Sequence, residues 1–248
     1  QGESRDRSGV ERRRVIEHLA ADHGRHVLDG GGGERRVEFL LPGQLNGHCT
    51  WKDESVQIRN AACFVAAKIQ TEVIMPILEG YIDTDGNGEA DVDRADRVAS
   101  SIAAVFGLLA KKSKEKSFCK SVEYRLVNLL YCPSDLVKQK SAEGIAYLTE
   151  SLGSDDSKAL FEQFKKDLAG TDPKPAAYGI AGIVKGLKSR SLRSHGVLAL
   201  IRDGLEDKKN AKLREGCLWT YSALAVVLGR VFEPYASGDI SALLGKLG

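Results

Sequence analysis

Nine residues from Asp83 to Asp91 (Asp-Thr-Asp-Gly-Asn-Gly-Glu-Ala-Asp) carry the most explicit ligand spacing in this sequence. Read as the opening of a calcium loop, Asp83, Asp85, Asn87 and Asp91 supply oxygens at the first, third, fifth and ninth positions, and Gly88 takes the sharp turn at the sixth. The twelfth position, where a bidentate glutamate completes the shell, is Arg94. A guanidinium there removes two ligand oxygens and repels the cation. The segment 83–93 is therefore expected to be an exposed acidic connection between helices. A weak calcium-binding module is the alternative reading.

The other chemistry-bearing residues are dispersed. Cys49, Cys63, Cys119, Cys132 and Cys217 include no CxxC pair, and their number is odd. They read as reduced thiols, with Cys63 and Cys217 buried on helix faces, rather than as a disulfide frame or a zinc site. His23 and His26 are three apart, but Gly24 lies between them and no cysteine or acid completes a ligand set. HExxH and GxSxG are both absent. Ser189 to Ser194 is basic and adjoins only His195, which reads as a helix-start residue. No catalytic residue, cofactor site or metal site is expected, and the chain reads as a binding protein rather than an enzyme.

The elements that position these residues are helices. The 248 residues are 42% hydrophobic and 28% charged, with net charge +2, as in an ordinary soluble protein. No apolar run approaches the roughly 18 residues of a membrane span. The first 14 residues are charged and lack an apolar h-region. Together with the start at Gln1, this reads as a piece of a longer protein.

Apolar residues recur at helical spacing throughout, and an apolar–basic–small pattern opens helices at Ile58-Arg59, Val137-Lys138 and Leu213-Arg214. Self-similarity at about 40 residues predicts an all-α solenoid of the HEAT or armadillo kind, with five to six antiparallel helix pairs. The expected units are 8–47, 53–82, 94–131, 134–170, 173–205 and 207–248. In the second unit, Asp53 reads as N-cap and Val56, Ile58, Ala62, Val65 and Ile69 as the core stripe. In the third, Val98, Ile102, Val105, Phe106 and Leu109 face Phe118, Val122, Leu126, Leu129 and Leu130. The second helix of the fifth unit carries Leu192, Val197, Leu198 and Leu200. Gly179, Gly182 and Gly186 lie at i, i+3 and i+7. Glycine costs about 1 kcal/mol against alanine within a helix, so three on one side predict close approach of another helix backbone.

Three blocks in order, Ala177–Leu187 (AYGIAGIVKGL), Leu205–Gly216 (LEDKKNAKLREG) and Leu228–Tyr235 (LGRVFEPY), closely resemble the general-control translational activators, giant HEAT-repeat activators of the eIF-2-alpha kinase. The resemblance falls in or beside the elongation-factor-3-like region of that family. It is strongest across 172–235, while Ser101–Lys111 and Val137–Leu148 are compatible with it. The glycine run 30–33, the acidic loop, Lys188 in place of a helix-ending glycine, and the sequence after Tyr235 depart from the family.

The resemblance implies a cytoplasmic, ribosome-associated scaffold that relays the uncharged-tRNA signal of amino-acid starvation to the kinase. It also implies an ABC-F-type ATPase partner and kinase contact through other regions of the full-length protein. It transfers no catalytic residue. A transport or phosphatase adaptor with HEAT repeats is the rival reading, opposed by the second and third blocks.

Charge distribution suggests where such a partner would bind. Between Thr171 and Thr220 there are ten lysines and arginines against five acids, whereas seven acids face Arg94 alone between Glu79 and Asp96. Lys185, Lys188, Arg190 and Arg193 cluster at one inter-helix turn, and Lys208, Lys209, Lys212 and Arg214 at the next helix start. These eight are the candidate ribosome or partner contacts. Helix pairing places the two clusters at opposite ends of a hairpin, as two patches rather than one stripe.

Overall fold

The computed structural model describes residues 55–85, 92–113, 115–188 and 191–237. The chain divides into a unit Gln1–Thr50 and a unit Trp51–Gly248, and all described residues lie in the second. The expected repeat 8–47, Asp53 and the end of the chain from 238 therefore lie outside the described residues.

Eleven α-helices and no strand occur among the described residues. They are α1 (Val56–Ala66), α2 (Thr71–Asp85), α3 (Val92–Lys112), α4 (Lys116–Leu130), α5 (Asp135–Ser151) and α6 (Ser154–Asp167), followed by α7 (Lys174–Gly186), α8 (Ser191–Ser194), α9 (Val197–Glu206), α10 (Ala211–Leu228) and α11 (Glu233–Ala236). Helices α1, α3, α5, α7 and α10 stack side by side in one row, each packed on the next. Helices α2, α4, α6 and α9 form a second row laid against the first. Each helix meets mainly its sequence neighbours and its row neighbours, which is the packing of an α-solenoid. Within the second unit of the chain, the most extensive hairpin contacts are α4 on α5, α6 on α7 and α9 on α10.

Small residues set the spacing of the first row. A Cβ on Gly182 would lie 2.5 Å from the carbonyl oxygen of Ala142, and one on Gly186 would lie 2.4 Å from that of Ala146. The same holds between α3 and α5, where a Cβ on Gly107 would lie 2.5 Å from Gly144 Cα. The expected close backbone approach is thus seen for Gly182 and Gly186, whereas Gly179 makes room for the Phe164 ring of α6. Helix α7 is buried along nearly its whole length, which explains its run of Ala and Gly.

The expected core stripes of the third unit are partitioned by burial. Val98, Ile102, Val105, Phe106 and Leu109 are all at most 2% exposed, as are Val122, Leu126 and Leu130, with Phe118 and Leu129 packed at the margin.

Two expectations are corrected. Helix α1 begins after Ser55, and its buried side is Arg59, Cys63 and Ala66, not the apolar stripe. Val56, Ile58, Val65 and Ile69 are exposed among the described residues, because α1 meets α3 through small and polar side chains. The long second helix of the fifth unit is two helices. Gly196, at φ 65°, adopts a left-handed conformation that breaks the ladder, so His195 ends a turn after α8 and Val197 starts α9.

The recurring basic residue has a structural reason. Arg59, Lys138 and Arg214 each occupy the fourth position of a first-row helix. Lys138 is 4% exposed, and its ammonium donates to the carbonyls of Cys132 and of Pro133, the latter at 3.2 Å. Arg214 Nη1 donates to Asp207 O at 2.6 Å. In both cases a cation from the new helix satisfies carbonyls of the preceding connection, where the end of a second-row helix leaves acceptors unpaired. A buried cation of this kind is tolerated because it is hydrogen-bonded.

Candidate interaction surfaces

The acidic segment is shorter than the expected connection 83–93. Helix α2 continues through Asp85, so the expected loop start at 83 is helical, and α3 begins at Val92 rather than after 93. Asn87 and Asp91 lie outside the described residues. Among the described residues, no group of three His, Cys, Asp or Glu is placed to hold a metal.

Three of the four described thiols, Cys63, Cys119 and Cys217, are buried and held protonated. Cys63 Sγ donates to Ser101 O at 3.4 Å, and burial pushes its pKa to about 11. Cys217, whose Sγ reaches Leu200 O at 3.6 Å, is raised by burial to about 11 as well. Cys119 is also raised, first by burial and then by Glu115 and Glu123. A nucleophile needs the thiolate, and these environments oppose it.

The two basic clusters sit on opposite edges of the stack. Lys212 Nζ reaches Thr171 O at 3.5 Å, which brings the start of α10 beside the start of α7. The two helices are therefore parallel, so Lys185 and Lys188 at the end of α7 lie on the edge opposite Lys208, Lys209, Lys212 and Arg214.

The second cluster is largely engaged. Lys212 pairs with Glu215 at 2.8 Å, and the Lys212 hydrogen bond holds the Glu215 carboxyl below its ordinary range. Arg214 is turned to Asp207 O, leaving Lys208 and Lys209 exposed. In the first cluster, Lys185 lies 3.7 Å from Glu143, Lys188 is exposed, and Arg193 stacks over the Tyr235 ring at 5.8 Å. Arg190 lies outside the described residues.

Residues that sequence reasoning did not single out bind neighbouring helices of the first row to one another. Lys174 pairs with Asp135 at 2.6 Å and lies 4.3 Å above the Trp219 ring, tying the starts of α5 and α7 to α10. Lys111 pairs with Glu150 at 3.1 Å and lies 4.8 Å above the Tyr147 ring. In sequence these are ordinary surface lysines, and only the row geometry places an aromatic from the adjacent helix beneath each. Among the described residues no helix is long and apolar enough to cross a membrane.

With this geometry established, the chain can be set beside known proteins. It is 28% identical over 232 residues to the human stalled ribosome sensor GCN1, covering 91% of this chain and 8% of that protein. The mouse stalled ribosome sensor GCN1 is 33% identical over 154 residues, covering 60% of this chain and 6% of that protein. The chain resembles the GCN1 family. The Dictyostelium discoideum eIF-2-alpha kinase activator GCN1 adds 30% identity over 176 residues, 69% of this chain and 6% of that protein. This chain thus spans less than a tenth of the length of these GCN1 relatives. No protein-family model matches it, and no solved structure does. The stacked, strand-free helices fit a scaffold of the HEAT type.

Proposed function

We propose that this chain is a ribosome-contacting segment of a cytoplasmic HEAT-repeat scaffold that supports activation of the eIF-2-alpha kinase in amino-acid starvation. The observation that carries the reading is similarity along 91% of the chain to a protein named as a sensor of stalled ribosomes, joined to relatives named as kinase activators. The fold supports it: a two-row helical stack offers long edges and faces, and its buried thiols and paired lysines suit binding rather than catalysis. On this reading the chain acts as a regulator, an ABC-F-type ATPase is a further partner, and the kinase is engaged through other parts of the full-length protein. The basic residues Lys185, Lys188, Arg190, Arg193, Lys208, Lys209, Lys212 and Arg214 are the proposed contacts.

The division into units 53–82, 94–131, 134–170, 173–205 and 207–248 belongs to the same proposal. The stronger packing of α4 on α5, α6 on α7 and α9 on α10 favours counting each repeat from a second-row helix instead.

The test uses the full-length protein in cells. Charge-reversing the proposed contacts is expected to lower phosphorylation of the kinase's substrate after amino-acid withdrawal while leaving protein abundance unchanged. Normal phosphorylation in that variant would refute the reading.

A further inference from the structure

One edge of the stack carries cations that the fold does not use. The C-terminal ends of α3, α5, α7 and α10 lie together there, because Lys111 near the end of α3 pairs with Glu150 near the end of α5, and Gly186 at the end of α7 meets Ala146 of α5. Lys112 ends α3, Lys188 follows α7, Arg193 lies in α8, and Arg230 lies in the turn after α10. All four are exposed. Lys112, Lys188 and Arg230 make no ion pair among the described residues, and Arg193 is held over Tyr235 with its guanidinium plane available for a second contact. The acids Glu150 and Asp156 of this edge are already occupied by Lys111, Lys116 and Lys120. The opposite edge differs: Lys174, Lys212 and Arg214 are engaged, and Asp203, Glu206 and Asp207 precede Lys208 and Lys209.

Backbone conformation gives a second, independent observation. Lys188 has φ 68°, the left-handed region that glycine enters without steric penalty and a lysine does not. It is the one non-glycine residue with positive φ among the described residues, and its side chain gains nothing inside the protein. An unfavourable backbone that holds an unpaired cation at a surface points to a use for that cation outside the chain.

We propose that this edge binds the phosphate backbone of structured RNA. The inference rests on the ribosome reading above and deepens it, assigning the contact to RNA rather than to a ribosomal protein and to this edge rather than the one carrying Lys208 and Lys209. First-row helices lie about 8–10 Å apart, so from Lys112 to Arg230 the cations run along about 24–30 Å, a line suited to successive phosphates. Arg193, stacked on Tyr235, presents donors in a fixed plane, as arginines that contact RNA do.

The test measures binding of the whole chain to a fluorescent RNA hairpin with a stem of about 16 base pairs. Four phosphate contacts predict a slope of about −2.8 to −3.6 in log K against log salt, an affinity loss of about 50- to 150-fold between about 50 and 200 mM salt. The triple variant Lys112→Glu, Lys188→Glu, Arg193→Glu is expected to lose this binding and its salt dependence while keeping the wild-type helical circular dichroism. The control Lys165→Glu, Lys166→Glu, exposed in the last turn of α6 on the opposite edge, is expected to keep the wild-type affinity and slope. The proposal is overturned if the triple variant binds RNA like wild type, or if the control loses as much. It is also overturned if the wild type binds no RNA at low salt yet still co-sediments with ribosomes; that outcome assigns the contact to an acidic protein surface and leaves the ribosome reading intact.

Discussion

Replacing Gly182 by alanine tests the packing of the first row directly. A Cβ there would lie 2.5 Å from Ala142 O and 3.1 Å from Ala142 Cα, both backbone atoms that cannot rotate away. Ordinary contact begins at 3.4 Å, so α5 and α7 would have to separate by about 0.9 Å. Alanine gains about 1 kcal/mol of helix propensity over glycine. Against this, overpacking a tight interface costs about 1–3 kcal/mol, and a clash with backbone belongs at the upper end. The net loss is about 1–2 kcal/mol, which lowers Tm by about 2–8 °C for a domain of this size. Gly80 in α2 is the internal control, since a Cβ there meets nothing within 4 Å. Gly80→Ala keeps the propensity gain without the clash and should raise Tm by about 2–4 °C. Thermal unfolding followed by circular dichroism reads both. A Gly182→Ala protein as stabilised as Gly80→Ala would refute the claim that close backbone contact sets the packing of the first row.

Other consequences are equally specific. Lys138→Ala leaves the carbonyls of Cys132 and Pro133 without their buried donor and should cost about 1–3 kcal/mol in urea unfolding; an unchanged midpoint would show that the ammonium does not cap α4. Lys188→Gly relieves a left-handed lysine and should stabilise the chain by about 1 kcal/mol, measured in the same way, while weakening RNA binding. For Cys63 and Cys217 the folded pKa of about 11 stands above the ordinary 9.0, so between these values the native state holds protons that the unfolded state has released. Stability is therefore full below about pH 9, falls as pH rises from there, and levels above about pH 11; Cys63→Ser, Cys217→Ser should flatten that alkaline decline. Among the four described cysteines the partly exposed Cys132 should react first with a thiol reagent, and mass spectrometry showing Cys63 or Cys217 ahead of it would contradict their burial.

How much was legible in the sequence varied by element. Helices α3, α4 and α7 announced themselves because their apolar or small residues recur on one side and nothing interrupts them. The glycines of α7 were readable as a close approach because glycine within a helix has a known cost. Helix α1 was misread, since its largest apolar residues lie away from α3 while Arg59, Cys63 and Ala66 face inward. Periodicity reports an apolar face but not which neighbour occupies it. The break at Gly196 was hidden because a lone glycine is tolerated in many helices and its left-handed φ cannot be read from residue type. The apolar–basic pattern was visible as a repeat, but its work, a cation returning to the preceding carbonyls, required coordinates. The two basic clusters were placed on opposite ends from helix pairing alone. That Lys212 and Arg214 are engaged, and that Lys112 and Arg230 join Lys188 on one edge, follows from contacts between residues far apart in sequence.

Co-sedimentation with purified ribosomes tests the central claim most directly. The chain is expected to pellet saturably at low salt and to be released as salt rises, because counterion release weakens each phosphate contact. Charge reversal at Lys188, Arg190 and Arg193 is expected to reduce the pelleted fraction without loss of helicity. A folded chain that stays in the supernatant with intact ribosomes at every salt concentration would contradict the account.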